Sequence, residues 1–314
     1  MTTGRVVALT GGVGGAKLAL GLARVLPPED LLFVANTGDD FEHLGLAISP
    51  DIDTVMYTLA GLANPEQGWG RRDETWSFID TLATIGGATW FRLGDRDLAV
   101  HVERTRRLDA GELLSAVTAD LCRRLGVAPR VLPMTDDRVR TRVRTDEGWI
   151  DFQDYFVRQQ CRPVVRELAF VGAERAHPHP DFLAALAAPA LRAVVICPSN
   201  PFISVEPILG LPGVRAALAA CSAPVIAVSP IIGGRAVKGP TAKMMTELGL
   251  TPSASAVAAR YADFIDAYVL DHADAAEAGR IPARVTLAKT LMTTLADREN
   301  LARITLQAAD SIHA

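Results

Sequence analysis

The stretch VVALTGGVGGAK, residues 6–17, decides the fold. Its first four residues form a continuous apolar run, which is typical of a strand buried on both faces and therefore of a parallel sheet. A glycine-rich turn follows, and the pattern from Ala16 to Leu26 is helical. Strand, glycine turn and helix in this order predict the first βα unit of an α/β protein.

Three more apolar runs have the same design, because each ends in a polar turn. They are Leu31–Ala35 before Asn36–Asp40, Val194–Cys197 before Pro198–Pro201, and Val225–Val228 before Ser229–Gly234. Helical patterns such as Gly213 to Cys221 lie between the runs, so we expect right-handed βαβ units in a Rossmann-like, doubly wound and mostly parallel sheet. Ligands bind outside the carboxyl ends of the strands in such a sheet, and the four polar turns therefore predict one shared site.

The segment from about residue 95 to residue 166 has a different composition. It is rich in arginine and aspartate, with a helical stretch from Ala110 to Leu125 and a hairpin pattern at residues 138–152. Its strand arginines alternate with small apolar and hydroxyl residues, which favours a solvated strand face over an anion channel. We expect a single α/β catalytic unit over residues 1–314, with a core at about 1–94 and 167–314 and an inserted α+β segment at about 95–166 that covers the site.

Composition excludes several classes of protein. The 49% hydrophobic and 22% charged residues exclude a disordered chain, and a formal net charge of −4 without a basic run argues against a nucleic-acid surface. The four cysteines lack metal-ligand spacing and predict small core residues in a reducing cytoplasm. The uncharged stretch Ala216 to Gly234 contains two prolines, and the chain passes from Met1 directly into a strand. We therefore expect neither a membrane span nor a signal peptide, but a cytoplasmic globular protein.

The glycine turn predicts a phosphate site. Between a strand and a helix, a phosphate would meet free backbone N–H groups and the positive end of the helix. The turn is not a P-loop, because Leu18 follows Lys17. It is not a dinucleotide fingerprint either, because Lys17 stands at the third glycine position and Asn36 ends the second strand. The structural alternative is that the turn is only a tight strand–helix connection. The presence of Lys17 favours phosphate binding over this alternative.

Acidic residues follow the second strand and begin a later helix. Asp39 and Asp53 are candidate ligands of one Mg²⁺, which takes one or two carboxylates together with substrate phosphate oxygens. The alternative, which the sequence supports equally well, is that these acids only stabilise the start of a helix. Asp51 cannot share a helix face with Asp53, and we interpret it as a cap or first-turn residue. Leu93–Asp97 is predicted to be a charged turn, and no serine or cysteine constellation indicates covalent catalysis.

Seven stretches in this order resemble the 2-phospho-L-lactate transferase family (CofD, called FbiA in actinobacteria) of coenzyme F-420 biosynthesis. They are Gly11–Lys17, Asn36–Asp40, Ser49–Tyr57, Leu93–Asp97, Leu132–Asp137, Pro198–Pro201 and Ser229–Gly233. The likeness covers nearly the whole chain. It implies a Rossmann-like core with an inserted segment, usually in a homodimer.

The resemblance also implies a Mg²⁺-dependent reaction. A donor in which GMP is joined through a pyrophosphate to a small carboxylic acid gives its acid-phosphate to the ribityl hydroxyl of the deazaflavin Fo. GMP leaves, and coenzyme F-420-0 or an analogue forms. Family members use 2-phospho-L-lactate, phosphoenolpyruvate or 3-phosphoglycerate, and the sequence leaves this choice open.

Matching stretches imply the site residues. Those that would hold the guanylyl part and its phosphates are Gly11, Gly12, Gly14, Gly15, Lys17, Asn36, Ser199 and Asn200. Asp39 and Asp53 would bind the cation and carry the catalysis, with the ligand role favoured over that of a base for Asp53. Asp53 and Arg92 would lie against Fo, and Asp53→Asn is expected to abolish GMP release.

Two other classes of protein are possible. One is a non-catalytic regulator that binds a nucleotide sugar and resembles the gluconeogenesis-factor family; Leu93–Asp97 together with Ser229–Gly233 argue against it. The other is an NAD(P) dehydrogenase, which Asn36 and the misplaced third glycine disfavour. Titration with fluorescent Fo separates the three classes.

Overall fold

The computed structural model describes residues 4–237 and 239–312. The strands found there are β1 (Arg5–Thr10), β2 (Leu31–Ala35), β3 (Phe41–His43), β4 (Leu46–Ile48), β5 (Arg130–Pro133), β6 (Arg140–Thr145), β7 (Gly148–Asp151), β8 (Glu167–Val171), β9 (Leu191–Ile196), β10 (Val225–Val228), β11 (Ile231–Ile232), β12 (Arg235–Ala236), β13 (Ala267–Asp271) and β14 (Arg284–Ala288). The α-helices are α1 (Gly12–Val25), α2 (Pro50–Leu59), α3 (Ser77–Thr84), α4 (Asp95–Asp109), α5 (Leu114–Arg124), α6 (Pro180–Leu186), α7 (Glu206–Leu209), α8 (Val214–Ala219), α9 (Thr241–Glu247), α10 (Ala254–Ala259) and α11 (Leu295–Asp310). The described residues also contain two π-helical turns, Asp154–Arg158 and Pro201–Val205. They contain three 3₁₀ segments as well, Pro28–Asp30, Ala173–Arg175 and His272–Arg280.

A seven-stranded parallel sheet forms the centre of the protein, in the order β14-β13-β10-β9-β1-β2-β5. The four apolar runs of the sequence are β1, β2, β9 and β10, which lie side by side as predicted. Alternate residues of β1 pack on opposite faces, with Val7 and Leu9 in one apolar cluster and Val6 and Ala8 in the other. Helices cover both faces, so the predicted doubly wound α/β fold is confirmed.

The direction of chain progression changes beside β1. From β1 the chain proceeds outward through β2 to β5, and it then returns to β9 on the other side of β1 and continues through β10 and β13 to β14. Neighbouring strands whose connections leave in opposite directions create a crevice at their carboxyl ends. This crevice lies between the turns that follow Thr10 and Ile196.

The segment at 95–166 is only partly separate from the core. Its hairpin is present as β6 and β7, and β8 joins it to form a three-stranded antiparallel sheet. However, β5 also lies in this segment and completes the central sheet, while β8 lies beyond the expected boundary. The sequence pattern misses β5 because Val131 and Leu132 are its only two apolar residues between Arg130 and Pro133, too short a run to indicate a buried strand. The single catalytic unit stays a prediction.

Two helix starts differ from expectation. Helix α1 already begins at Gly12, so most of the glycine turn is its first turn. Gly12 has φ +60°, a conformation that glycine adopts without strain. Helix α4 begins at Asp95, so the charged turn expected at Leu93–Asp97 is instead the start of a helix.

None of the helices in residues 4–237 and 239–312 is both long and apolar enough to cross a membrane. The sequence predicts no signal peptide, and the first residues on which this prediction rests, Met1 to Thr3, lie outside the described residues. The four cysteines are free thiols, with Cys122 and Cys197 buried and Cys161 and Cys221 half-buried.

Candidate active site

A cavity of about 560 Å³ opens at the carboxyl ends of the central strands. Its wall includes residues from the turns after β1, β2, β9 and β10, for example Gly11, Asp39, Ser199 and Ser229. The four polar turns therefore meet in one site, as the sequence predicts. Of the expected site residues, the cavity wall contains Gly11, Gly12, Gly14, Lys17, Asp39, Arg92, Ser199 and Asn200, whereas Gly15, Asn36 and Asp53 lie behind it.

The glycines allow helix α1 to approach the turn after β9. A Cβ atom at Gly14 would collide with the carbonyl oxygen of Pro198, and one at Gly15 would collide with the Ser199 hydroxyl. The Gly11 N–H donates a hydrogen bond of 3.1 Å to Ser199 Oγ. Gly15 thus serves helix packing, while Gly11, Gly12 and Gly14 present the helix start to the cavity.

Lys17 carries a positive charge to the same wall. It is in the second turn of α1, and its Nζ donates a hydrogen bond of 3.0 Å to the carbonyl oxygen of Met292 in the loop after β14. The ammonium group is thereby held beside the cavity between two elements far apart in the sequence.

Ser199 and Asn200 follow β9. The Asn200 Oδ1 accepts a hydrogen bond of 2.9 Å from the Phe202 N–H and so begins the π-helical turn Pro201–Val205. Its Nδ2 lies 3.9 Å from the sulfur of Met244. Asn200 therefore shapes this wall and also contributes to it.

Asp51 faces the cavity at the start of α2, although the sequence suggested only a capping role. Its Oδ1 accepts a hydrogen bond of 2.7 Å from the Gly12 N–H, and its Oδ2 accepts one of 2.9 Å from Asn36 Nδ2. Asn36 is fully buried and also donates 3.0 Å to the Ile203 carbonyl oxygen. The side chain of Asn36 thus orients Asp51, and its expected contact with a ligand stays a prediction.

Asp39 and Asp51 are two buried carboxylates on one cavity wall. Burial raises the pKa of Asp39 well above its ordinary value, and the negative charges of Asp51 and Asp40 raise it further. Burial also raises the pKa of Asp51 to about 6. Hydrogen bonds to the pair come from the Gly12 N–H, Asn36 and Thr141, none of them a cationic group, so the pair favours a proton or a bound cation.

Asp53 is not among the residues that line the cavity, and its expected role toward the cation and Fo stays a prediction. Both of its carboxylate oxygens pair with the guanidinium group of Arg104 on α4, with Oδ2 3.0 Å from Nη1. Residues two positions apart in an α-helix are separated by about 200° around its axis, so Asp51 and Asp53 must face different neighbours. The direction of α2 therefore turns Asp51 rather than Asp53 toward the glycine turn.

Asp53, Asp97 and His101 have ligand atoms within 4.8 Å of one another and form the one cluster of this kind in the described residues. The guanidinium group of Arg104 also lies there, with Nη1 3.2 Å from His101 Nδ1. Tyr57 donates a hydrogen bond of 2.6 Å to Asp97. A metal ion would meet a buried positive charge at this place, so the cluster does not fit a cation.

The stretch Leu93–Asp97 has a structural role. Asp95 accepts hydrogen bonds from the Ser77 and Phe78 N–H groups at 3.1 and 3.0 Å, which start α3. In return, Glu74 accepts from the Arg96 and Asp97 N–H groups at 2.8 and 2.9 Å, which start α4. Asp95 of α4 thus caps α3, Glu74, which precedes α3, caps α4, and the segment just before α4 is fixed at the cavity.

That segment places Arg92 in the wall, where its guanidinium group lies 4.4 Å from the centre of the Trp76 ring. Aromatic side chains that sequence reasoning missed line the same cavity: Trp69, Phe91, Phe152 and Phe156. The last two are stacked, with centroids 5.3 Å apart and planes inclined by 15°. Their positions in the sequence carry no common pattern, because only the fold brings them together.

Comparison with known proteins gives consistent matches. The family model for 2-phospho-L-lactate transferase CofD matches residues 6–309. A phosphoenolpyruvate transferase of Streptomyces avermitilis is 42% identical over 98% of this chain and 99% of its own, and one of Kitasatospora aureofaciens is 44% identical over 98% of both. A 2-phospho-L-lactate transferase of Methanospirillum hungatei is 39% identical over 94% of this chain and 97% of its own. The crystal structure of a UPF0052 family protein from Bacillus halodurans shares the fold, with a TM-score of 0.63 at 12% identity over 98% of this chain and 99% of that one.

Proposed function

Because the chain belongs to the 2-phospho-L-lactate transferase CofD family, we propose that it transfers a phospho-carboxylic-acid unit from a guanylylated pyrophosphate donor to the ribityl hydroxyl of the deazaflavin Fo. The observation that carries this proposal is a single cavity lined by a glycine-rich helix start, two buried carboxylates and an aromatic wall. The transferase names of the relatives favour an enzyme over a nucleotide-sugar-binding regulator.

The polar wall of the cavity, which consists of the start of α1, Lys17, Asp39 and Asp51, suits the pyrophosphate. The start of α1 offers backbone N–H groups and the positive end of its dipole, and Lys17 adds a full charge. Asp39 and Asp51 would hold Mg²⁺, since their oxygens are hard ligands and their buried charges need compensation. Asp51 thereby takes the role first expected of Asp53. When bound, Mg²⁺ neutralises the pyrophosphate and the developing charge on GMP.

The aromatic wall suits the planar ring system of Fo. Phe91, Phe152 and Phe156 offer apolar faces, and stacked or edge-on aromatic contacts add affinity beyond burial alone. Arg92, beside Phe91, keeps the contact with Fo that the resemblance implies. The ribityl oxygen then bonds to the acid-bearing phosphorus, the bond to the bridging oxygen breaks, and GMP leaves with that oxygen while the hydroxyl proton passes to solvent. The protein mainly positions these groups.

Relatives named phosphoenolpyruvate transferase, at 41–44% identity, favour phosphoenolpyruvate over 2-phospho-L-lactate as the transferred unit. The homodimer that the resemblance implies and the cytoplasmic location that the composition suggests belong to the same proposal. Light scattering coupled to gel filtration measures the mass of the dimer.

The test is a direct assay. The protein is mixed with Fo, MgCl₂ and one guanylylated donor carrying phosphoenolpyruvate, 2-phospho-L-lactate or 3-phosphoglycerate. GMP is measured by chromatography and the deazaflavin product by mass spectrometry. We expect GMP release to be fastest with the phosphoenolpyruvate donor. Fo binding without product from any donor would contradict transfer, and nucleotide-sugar binding without Fo binding would favour the regulator.

Variants test the proposed ligands. Asp39→Asn and Asp51→Asn are expected to lower kcat by at least about 100-fold, because each removes a charge that the transition state requires. Asp80→Asn, at an exposed position on α3, is the matched control and should keep wild-type activity. Wild-type turnover by folded Asp51→Asn protein would remove Asp51 from the site.

A further inference from the structure

Arg104 is a charged side chain in the interior of the protein. It projects from α4 and is fully buried, and it is the largest side chain with that degree of burial in the described residues. Moving a guanidinium group out of water costs several kcal/mol unless partners compensate. A chain keeps such a group where its charge and geometry have a use, and the partners of Arg104 indicate that use.

The partners come from three elements. Asp53 on α2 pairs with both terminal nitrogens, the Ala47 carbonyl oxygen on β4 accepts at 3.4 Å, and His101 Nδ1 lies at 3.2 Å one turn earlier on α4. The pairing with Asp53 is two-pronged, and a planar guanidinium group matches a carboxylate in this way better than an ammonium group does. The pair therefore fixes the rotation of α2 as well as its distance from α4.

The rotation of α2 determines what the cavity contains. Asp51 and Asp53 stand in the first turn of the same helix, and each is bonded to a different neighbour: Asp51 to the start of α1, Asp53 to α4. A small rotation of α2 that loosens one contact displaces the other. The first turn of α2 is thus held from both sides, and the orientation of Asp51 depends on a residue that does not touch the cavity.

We propose that Arg104 is a positioning residue that, through Asp53, orients Asp51 for binding a divalent cation together with Asp39. This inference rests on the cation site of the proposed function. It explains why the chain keeps an arginine behind the cavity, the one fully buried arginine or lysine of the described residues. It also gives a role to Asp53, which the sequence singled out and which the cavity wall does not contain.

Two variants separate positioning from general stability. Arg104→Lys keeps a positive charge and loses the two-pronged geometry. Asp53→Asn/Arg104→Met removes both charges, an exchange that buried ion pairs often tolerate. Arg107→Lys is the matched control, because Arg107 lies on the same helix and pairs with Glu112 and Asp120 away from the cavity.

The primary measurement is Mn²⁺ binding without substrates, followed by electron paramagnetic resonance, with circular dichroism as the check on folding. We expect the wild type and Arg107→Lys to bind Mn²⁺ equally. Arg104→Lys should bind about threefold more weakly and the folded double variant about tenfold more weakly, since misplacing one of two ligands weakens a preorganised site. In the GMP-release assay the half-saturating Mg²⁺ concentration should rise in proportion, while the KM for Fo stays within about twofold.

Several results would overturn the inference. One is a folded double variant with wild-type Mn²⁺ affinity, and another is a wild type that binds no Mn²⁺. The third is unfolding of both Arg104 variants, which would assign the ion pair of Arg104 and Asp53 to stability. Failure of the proposed function looks different. In that case the Mn²⁺ affinities still fall in the expected order, but no donor yields GMP.

Discussion

Asp40 shows how a single buried carboxyl group affects this protein. Ser49 donates a hydrogen bond of 2.8 Å to its Oδ2, whereas Oδ1 has no hydrogen-bond partner in the described part of the chain. Burial raises the pKa of Asp40 to about 7, against the opposing positive charge of Arg140. Near neutral pH the folded protein therefore holds this group at a free-energy cost.

The pH dependence of stability follows from the sign of that shift. Because the pKa is higher in the folded state, the protonated carboxyl group makes its full contribution to the free energy of unfolding below about pH 4. This contribution is lost as the pH rises toward about 7. Asp40→Asn cannot ionise and should escape this loss. In EDTA we expect the variant to match the wild type near pH 3 and to be more stable at pH 8, by at most about 4 kcal/mol at about 1.4 kcal/mol per pKa unit.

Urea unfolding at the two pH values measures this difference. Asp80→Asn, which changes an exposed carboxylate, is the control and should follow the wild-type pH dependence. Parallel pH dependences for the wild type and Asp40→Asn would show that Asp40 titrates normally in the folded protein.

Asp51 and Asp53 show the limit of prediction at this scale. They are the same residue type in the same helical turn, so the sequence recognises an acidic helix start without indicating which acid reaches the site. The decision depends on Gly12, 39 residues away from Asp51, and on Arg104, 51 residues away from Asp53. Only the packing of three helices distinguishes the two carboxylates.

At the scale of elements, length and continuity determine what could be predicted. Strands β1, β2, β9 and β10 were recognisable because each contains at least four successive apolar residues. The start of α4 was not, because Asp95, Arg96 and Asp97 have the composition of a loop. The helix forms there since Glu74, some twenty residues earlier, satisfies its first N–H groups.

The capping by Glu74 leads to a prediction for α4. Glu74→Ala leaves the Arg96 and Asp97 N–H groups without their acceptors, and loss of a cap costs about 1 kcal/mol. We expect Tm to fall by about 1.5 °C, with faster hydrogen exchange at these two amides. Glu74→Gln keeps one acceptor oxygen and should have an intermediate effect. Unchanged exchange in Glu74→Ala would mean that the helix start is held by other groups.

At the scale of the whole molecule, the change of direction beside β1 brings distant segments together. Gly11 and Ser199 are 188 residues apart, and Lys17 and Met292 are 275 apart, yet each pair shares a hydrogen bond at the cavity. Strand–helix alternation predicted that the turns of Gly11 and Ser199 meet, because the carboxyl ends of parallel strands lie at one edge, but it did not predict the contact with Met292. The aromatic wall was not predictable, since Trp69 and Phe91 come from irregular segments and Phe156 from a short π-helical turn, whose paths depend on the finished core.

Because the cavity joins both halves of the sheet, a ligand that fills it should stabilise the entire chain. GMP with Mg²⁺ at about 100 times its Kd adds about 2.7 kcal/mol, which raises the Tm of a chain of this length by about 4 °C. With EDTA in place of Mg²⁺ the shift should fall to the part that the glycine turn and Lys17 supply alone. Asp51→Asn should show this smaller shift in both solutions, and Asp80→Asn should behave as the wild type. Differential scanning fluorimetry of the three proteins measures these shifts. An equal shift for the wild type in Mg²⁺ and in EDTA would show that the nucleotide binds without a cation between it and the Asp39–Asp51 pair, and the polar wall would then be a phosphate site built on the helix start alone.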